Sequence, residues 1–143
     1  MPALRKILHV TDFSPSARPA LFHAARLARA FGGEVHVLHV LVLGADDPVM
    51  AQEALDGLVP EELADVVTER RLTKAVQAEV GIVHEARNGN YDCIVMGTHG
   101  RGAVGHALLG SVAERVVQHA PCAVLTVRDP EFVYTPLQGA DHD

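Results

Sequence analysis

The chain carries only two cysteines in 143 residues, Cys93 and Cys122. Their spacing fits neither a C-x-x-C redox pair nor a zinc ribbon, which excludes the usual thiol-based functions. Cys93, inside an apolar run, reads as a buried apolar residue. Cys122 follows Pro121 at the start of the last strand, with nothing beside it to activate the thiol. A structural disulfide is not expected in a reducing compartment. Long apolar runs are also missing: none approaches the ~20 residues of a membrane span. The opening segment Met1-Pro2-Ala3-Leu4-Arg5-Lys6 enters a strand pattern without a signal-peptide core, so a cytoplasmic protein is expected. Basic charge is scarce too. Twelve Lys and Arg stand against eighteen Asp and Glu, a net charge of −6, which excludes a nucleic-acid surface built on a basic patch. It leaves nucleotide binding open, because local N–H groups hold a phosphate against an unfavourable global field. Finally, no GxxxxGK[ST] string occurs, which excludes P-loop phosphotransfer.

What is present is a globular composition. Hydrophobic residues make up 48% of the chain and the mean hydropathy is +0.14, which excludes disorder. The length suits one domain that buries roughly two-thirds of its unfolded surface. We expect a single nucleotide-binding domain over 1–128 and a tail or interaction arm over 129–143, which holds Pro130 and Pro136 and ends in Asp141-His142-Asp143.

Periodicity assigns the elements. Leu4 to Val10 reads as a buried strand, and Thr11-Asp12-Phe13-Ser14-Pro15 as a strand-to-helix turn. Ser14, or Ser16, is the candidate N-cap, and Pro15 suits the first helical position. Ala17, Leu21, Ala24, Ala25, Ala28 and Phe31 recur at helical spacing, and Gly32-Gly33 supplies the stop. Glu34 to Leu43 is a second strand, followed by a short helix between Gly44 and Pro60. The segment 61–74 suits an exposed edge strand around Val66-Val67-Thr68. Ala75 to Asn88 reads as a helix with Val76, Val80, Val83 and Ala86 on its buried stripe. Asp92 to Met96, a helix over Ser111 to His119 and the strand Ala123 to Val127 complete the chain. Strands alternating with helices predict a parallel sheet covered on both faces.

The chemistry concentrates at Gly97-Thr98-His99-Gly100-Arg101-Gly102-Ala103-Val104-Gly105-His106-Ala107-Leu108-Leu109-Gly110-Ser111. A strand runs into a glycine-rich loop, and the loop feeds a helix whose first N–H groups lack intrahelical partners and lie at the positive end of its dipole. That is an anion site, most often filled by phosphate. Ligands of open parallel sheets sit beyond strand carboxyl ends where the winding direction reverses. Thr11-Asp12 and Gly97 onward both end strands. If those strands are neighbours, Asp12 faces the loop, where its carboxylate accepts hydrogen bonds from a base or ribose or approaches a metal ion. The plainer alternative is that Asp12 caps a turn. Gly100 to Gly105 matches GxGxxG, but a dinucleotide fingerprint follows the first strand of a unit and is trailed by an acidic residue about 20 positions on; here only one strand follows, so the match is coincidental.

A third spacing, Gly-x2-Gly-x9-Gly-[Ser/Thr], is met by Gly97, Gly100, Gly110 and Ser111. With Ile7-Leu8-His9-Val10-Thr11-Asp12, Ile94-Val95-Met96-Gly97-Thr98-His99-Gly100 and Pro121-Cys122-Ala123-Val124-Leu125-Thr126-Val127, the chain resembles the universal stress protein family in its ATP-binding branch. The resemblance implies an open, Rossmann-like α/β fold: a five-stranded parallel sheet of order 3-2-1-4-5 with helices on both faces. It places Thr11 and Asp12 against adenine, with the backbone near Val40 framing the ring. Met96 and Gly97 meet the ribose, and Gly100, Gly110, Ser111 and the N–H of Val112 hold phosphates. Arg101 is positioned to add a positive charge. The implied ligand is ATP, with or without Mg2+; AMP or a cyclic nucleotide shares the same adenine pocket. The implied assembly is a homodimer through the last strand. The nucleotide would order residues 98–110 and shift affinity for an as yet unidentified protein partner. Two departures stand out. Phe13 occupies a position where a small residue, often glycine, is common, which predicts a narrower adenine side. The region 44–60 is also short.

Nine histidines raise a metal reading, but His36 and His39 lie on opposite faces of a strand and no carboxylate or cysteine spacing supports chelation. Scattered solvated histidines are expected instead. His99 and His106 lie on the loop, within reach of a bound nucleotide; His99 is the one base proposed there, and nothing forms a nucleophile–base–orienter set. Binding with at most slow ATP hydrolysis is therefore expected, beside the rivals of a slow ATPase and a nucleotide-free interaction scaffold.

Overall fold

Four runs rich in Val, Ile and Leu and one charged run become the strands of one parallel sheet in the computed structural model, which describes residues 4–99 and 109–130. The strands are β1 (Lys6–Val10), β2 (Glu34–Val42), β3 (Val67–Ala75), β4 (Cys93–Gly97) and β5 (Ala123–Val127). Their order is β3-β2-β1-β4-β5, as the family resemblance implies. Each connection crosses a face through a helix: α1 (Arg18–Phe31), α2 (Pro48–Asp56), α3 (Ala78–Asn88) and α4 (Ser111–His119). None of these helices is long and apolar enough to cross a membrane.

Period-2 alternation splits the core into two layers. On one side Ile7, Val35, Val37 and Val95 pack against Ala20, Leu21, Ala24, Ala25 and Ala28 of α1. On the other, Leu8, Val10, Leu38, Val40, Ile94 and Met96 pack against Ile82 and Ala86 of α3 and Ala113 and Val116 of α4. The alanine-rich face of α1 lets that helix lie close to the sheet. Gly32 ends it in the left-handed conformation (φ +67°), as the glycine pair predicts. Phe31, expected on the buried stripe, is half exposed.

Two local expectations change. Ser14 does not cap α1: a 3-10 turn over Pro15–Ala17 intervenes, closed by Ala17 N–H to Ser14 C=O at 3.1 Å, and the helix begins at Arg18. The expected stripe of α3 is also shifted. Ala75 and Val76 are not helical: Ala75 ends β3, and Val76 and Val80 are exposed, while Gly81, Ile82, Glu85 and Ala86 face inward. The cause is Gly81, where a Cβ would come within 2.7 Å of Val40 Cγ1; the bare backbone is what seats this helix on β2. Edge strand β3 lies where Val66-Val67-Thr68 suggests, with the mainly exposed residues Thr68, Glu69, Arg70 and Arg71.

Candidate functional site

β1 and β4 are neighbours, with Ile7 opposite Cys93 and His9 opposite Val95. The chain leaves β1 toward one face and β4 toward the other, so their carboxyl ends frame a crevice. Thr11 and Asp12 leave β1, Gly97 ends β4, and Val40 arrives from β2. Gly97 accepts this crowding because Ser16 C=O would lie 3.0 Å from any Cβ placed there.

The loop after β4 is tied at both ends by main-chain atoms. Thr98 N–H donates to Val127 C=O at 3.0 Å, and Gly110 N–H donates to Thr98 C=O at 2.7 Å. Gly110 is the N-cap of α4 and has no side chain to satisfy the first turn. α2 shows the contrast: Asp47 Oδ1 accepts from the N–H groups of Val49 and Met50. The α4 terminus therefore presents the orphan donors and dipole field that suit an anion.

A cavity of about 120 Å³ fills the crevice. Val40, Val42, Ala78 and Ile82 make its apolar wall, and Asp12, Thr98, Gly110 and Ser111 lie on its polar side. Of the ten residues singled out from the sequence, eight line it: Thr11, Asp12, Val40, Met96, Gly97, Gly110, Ser111 and Val112. Gly100 and Arg101 lie outside the described residues, as do His106 and the stretch 131–143 of the tail. Asp12 forms the turn of the plainer reading. Its Oδ1 accepts the Ser14 N–H at 2.9 Å, which makes a turn, and the residue also lines the cavity. Phe13 does not narrow the pocket. It adopts φ +66° and turns to the α1 side, its ring 4.3 Å from that of His39.

Histidines are the largest departure from expectation. His9, His36, His39 and His99 are all buried rather than solvated. Each has a partner that sequence spacing does not reveal. His39 Nδ1 donates to Thr11 C=O at 2.8 Å, which holds the end of β1, and its Nε2 lies 3.6 Å from Asp46 Oδ2. His36 Nδ1 lies 2.6 Å from Tyr91 Oη, between Glu34 and Glu69; burial pushes the Tyr91 hydroxyl up to about 12, so it stays a neutral phenol. His99 Nδ1 lies 3.0 Å from Thr98 Oγ1 and lines the cavity. His39, Ala78 and Ile82 are lining residues that sequence reasoning missed. A histidine one turn of pleat before Val40 was the available signal, but an isolated histidine in a strand has no readable direction. Burial also pushes the Cys93 and Cys122 thiols up, away from reactive thiolate.

The universal stress protein family profile matches residues 3–128, nearly all of the chain. The chain belongs to the universal stress protein family. A universal stress protein of Methanocaldococcus jannaschii, MJ0531, is 32% identical over 145 residues, covering 89% of this chain and 84% of the relative. The solved structure of a second M. jannaschii member, MJ0577, superposes with a TM-score of 0.76 at 30% identity, covering 89% of this chain and 97% of that one. A universal stress protein solved in complex with cAMP superposes with a TM-score of 0.70 at 25% identity, covering 90% and 99%. In this universal stress protein the sheet order is β3-β2-β1-β4-β5, and Gly97, Gly110 and Ser111 line the crevice.

Proposed function

We propose that this universal stress protein binds an adenine nucleotide, with ATP the first candidate, and acts through the conformation that the bound nucleotide imposes. The observation that carries the reading is the uncapped N-terminus of α4 facing Thr11 and Asp12 across the β1–β4 crevice. Adenine would lie against Thr11, Asp12 and Val40, the ribose along Met96 and Gly97, and the phosphates on Gly110, Ser111 and the N–H of Val112. Gly100 and Arg101 would complete the phosphate side. A relative that binds cAMP supports the adenine pocket and keeps AMP and cyclic nucleotides as alternatives to ATP. Differential affinity for two arrangements of the loop would then shift binding of a protein partner.

The test is to denature freshly purified protein, identify any released nucleotide by chromatography, and titrate ATP into the emptied protein. Near-stoichiometric adenine nucleotide, or saturable ATP binding, is the expected result. Gly110 has ordinary extended backbone (φ −68°, ψ 161°), a conformation that valine also adopts, so Gly110→Val is the variant to test once circular dichroism has checked its fold. Its side chain is expected to block the phosphate approach and weaken ATP at least tenfold by calorimetry. A folded Gly110→Val protein with unchanged affinity overturns the assignment.

A further inference from the structure

Apolar side chains exposed one at a time are ordinary on a globular protein; exposed together they mark a contact. Among the described residues eight large apolar side chains are exposed, and five of them belong to one corner of the sheet. They are Leu43, Val49, Met50, Val76 and Val80, each more than half exposed. Val42 pairs with Ala75 where β2 and β3 end, so Leu43 and Val76 are the next residues out. Leu43 N–H donates to Ala75 C=O at 3.0 Å, which holds the two ends side by side. Val80 lies in the first turn of α3. Val49 and Met50 lie in the first turn of α2, and the turn before it is fastened to β2, where Asp46 Oδ2 accepts the Val42 N–H at 2.9 Å. Two strand ends and two helix starts thus bring the five to the carboxyl edge of β2 and β3.

None of the five lines the nucleotide crevice, but their neighbours do: Val42 precedes Leu43, and Ala78 lies between Val76 and Val80. A body seated on this corner therefore reaches the crevice rim. The free charge around it is mainly acidic. Glu53 follows Val49 by four residues and Met50 by three, which puts its carboxylate on their face of α2. Asp47 and Glu53 are exposed, and neither has a basic partner among the described residues. No Lys or Arg occurs between Arg29 and Arg70, and across 43–53 and 74–80 the one basic residue is Lys74. On the α3 side Glu79 is already neutralised by Arg115 at 2.9 Å. The corner lies at strand ends and not along a strand edge, so a docked segment finds no ladder to join. It must satisfy its own main chain, which a helix does.

We propose that this corner is a docking surface for a partner protein that presents an amphipathic helix, its apolar stripe flanked by lysine or arginine. Leu43, Met50 and Val76 would take the stripe, with the unbranched Met50 side chain adapting to its shape. Asp47 and Glu53 would meet the flanking cations. The inference goes beyond the nucleotide reading and stands whether or not the crevice is filled.

The probe is a synthetic fourteen-residue peptide of leucine and lysine, with leucine at the i, i+3, i+4 and i+7 spacing of one helix face. Its control carries glutamate in place of every lysine. Titrated into the full-length protein and followed by amide NMR, the lysine peptide is expected to give saturable shifts centred on Leu43, Met50 and Val76. The glutamate peptide is expected to bind at least tenfold more weakly. Met50→Gln combined with Val76→Ser changes exposed side chains alone, so the melting temperature is expected to hold while the lysine peptide weakens at least tenfold. Glu53→Lys is expected to weaken it about fivefold. Glu61→Lys, which lies before the start of β3 at the far end of the sheet, is expected to leave it unchanged. The proposal is overturned if the lysine peptide gives no saturable shift, if the glutamate peptide binds as well, or if Glu61→Lys weakens binding as much as Glu53→Lys. Shifts centred on Thr11 and Gly97 overturn it in favour of the crevice. Loss of the protein's own association in the Met50→Gln/Val76→Ser variant, by sedimentation velocity, overturns it in favour of a second copy of this chain.

Discussion

His9 lies between Leu8 and Val10, and burial holds its imidazole at about 4 while the unfolded chain titrates near 6.5. The sign follows from proton counting. Between those values the unfolded chain takes up a proton that the folded chain refuses, so the His9 contribution is intact above about pH 6.5 and is lost as the pH falls. The expected loss is about 3 kcal/mol by pH 4, at ~1.4 kcal/mol per unit. Urea denaturation across pH 4–8 measures it, with His9→Leu as the reference; parallel curves for the two proteins would refute the assignment. At this scale the sequence is least readable. That Thr11, Asp12, Gly97, Gly110 and Ser111 meet at one crevice is legible, because they stand at strand ends and a helix start and fit the pattern of the family resemblance. The histidines are not, because their partners are main-chain carbonyls such as those of Thr11 and Val95, or distant side chains such as Tyr91. Pairing of that kind leaves no trace in local periodicity.

Among elements, α3 shows why a helix can be found while its buried face is mistaken. Val76 and Val80 look like a stripe, yet the helix docks through Gly81 and Ile82, since only a residue without Cβ fits beside Val40. Gly81→Ala is therefore expected to destabilise by about 1–3 kcal/mol through overpacking, despite its gain in helix propensity. Equilibrium denaturation decides the sign, and a more stable variant would show that α3 shifts freely on β2. Because Val40, Ala78 and Ile82 line the cavity proposed for the nucleotide, the same variant is expected to weaken the proposed ATP binding. The start of α4 was legible for the opposite reason: Gly110-Ser111 after a glycine-rich run marks a terminus by chemistry, whatever face the helix then buries. Glu79 of α3 receives Arg115 of α4 at 2.9 Å, which fixes the two helices on this face of the sheet to each other.

For the whole molecule, the two open edges of the sheet differ in kind. β3 displays Glu69, Arg70, Arg71 and Lys74, the charges that keep an edge solitary, whereas β5 displays Leu125, with Val117 exposed on the neighbouring α4. If the homodimer forms through β5, Leu125→Lys is expected to yield monomers by sedimentation velocity without lowering the melting temperature of the protomer. An unchanged dimer would move the interface elsewhere. Strand order was legible from the sequence through the resemblance and, in coarser form, from the alternation of strands and helices; the choice of edge depends on which side chains end up outside. The tie between Thr98 and Gly110 carries a separate consequence. It is made by main-chain atoms alone, so a substitution at Thr98 leaves its acceptor in place, and a substitution at Gly110 leaves its donor in place. The start of α4 is thus pinned to the end of β4 by the backbone, whatever side chains those two positions carry.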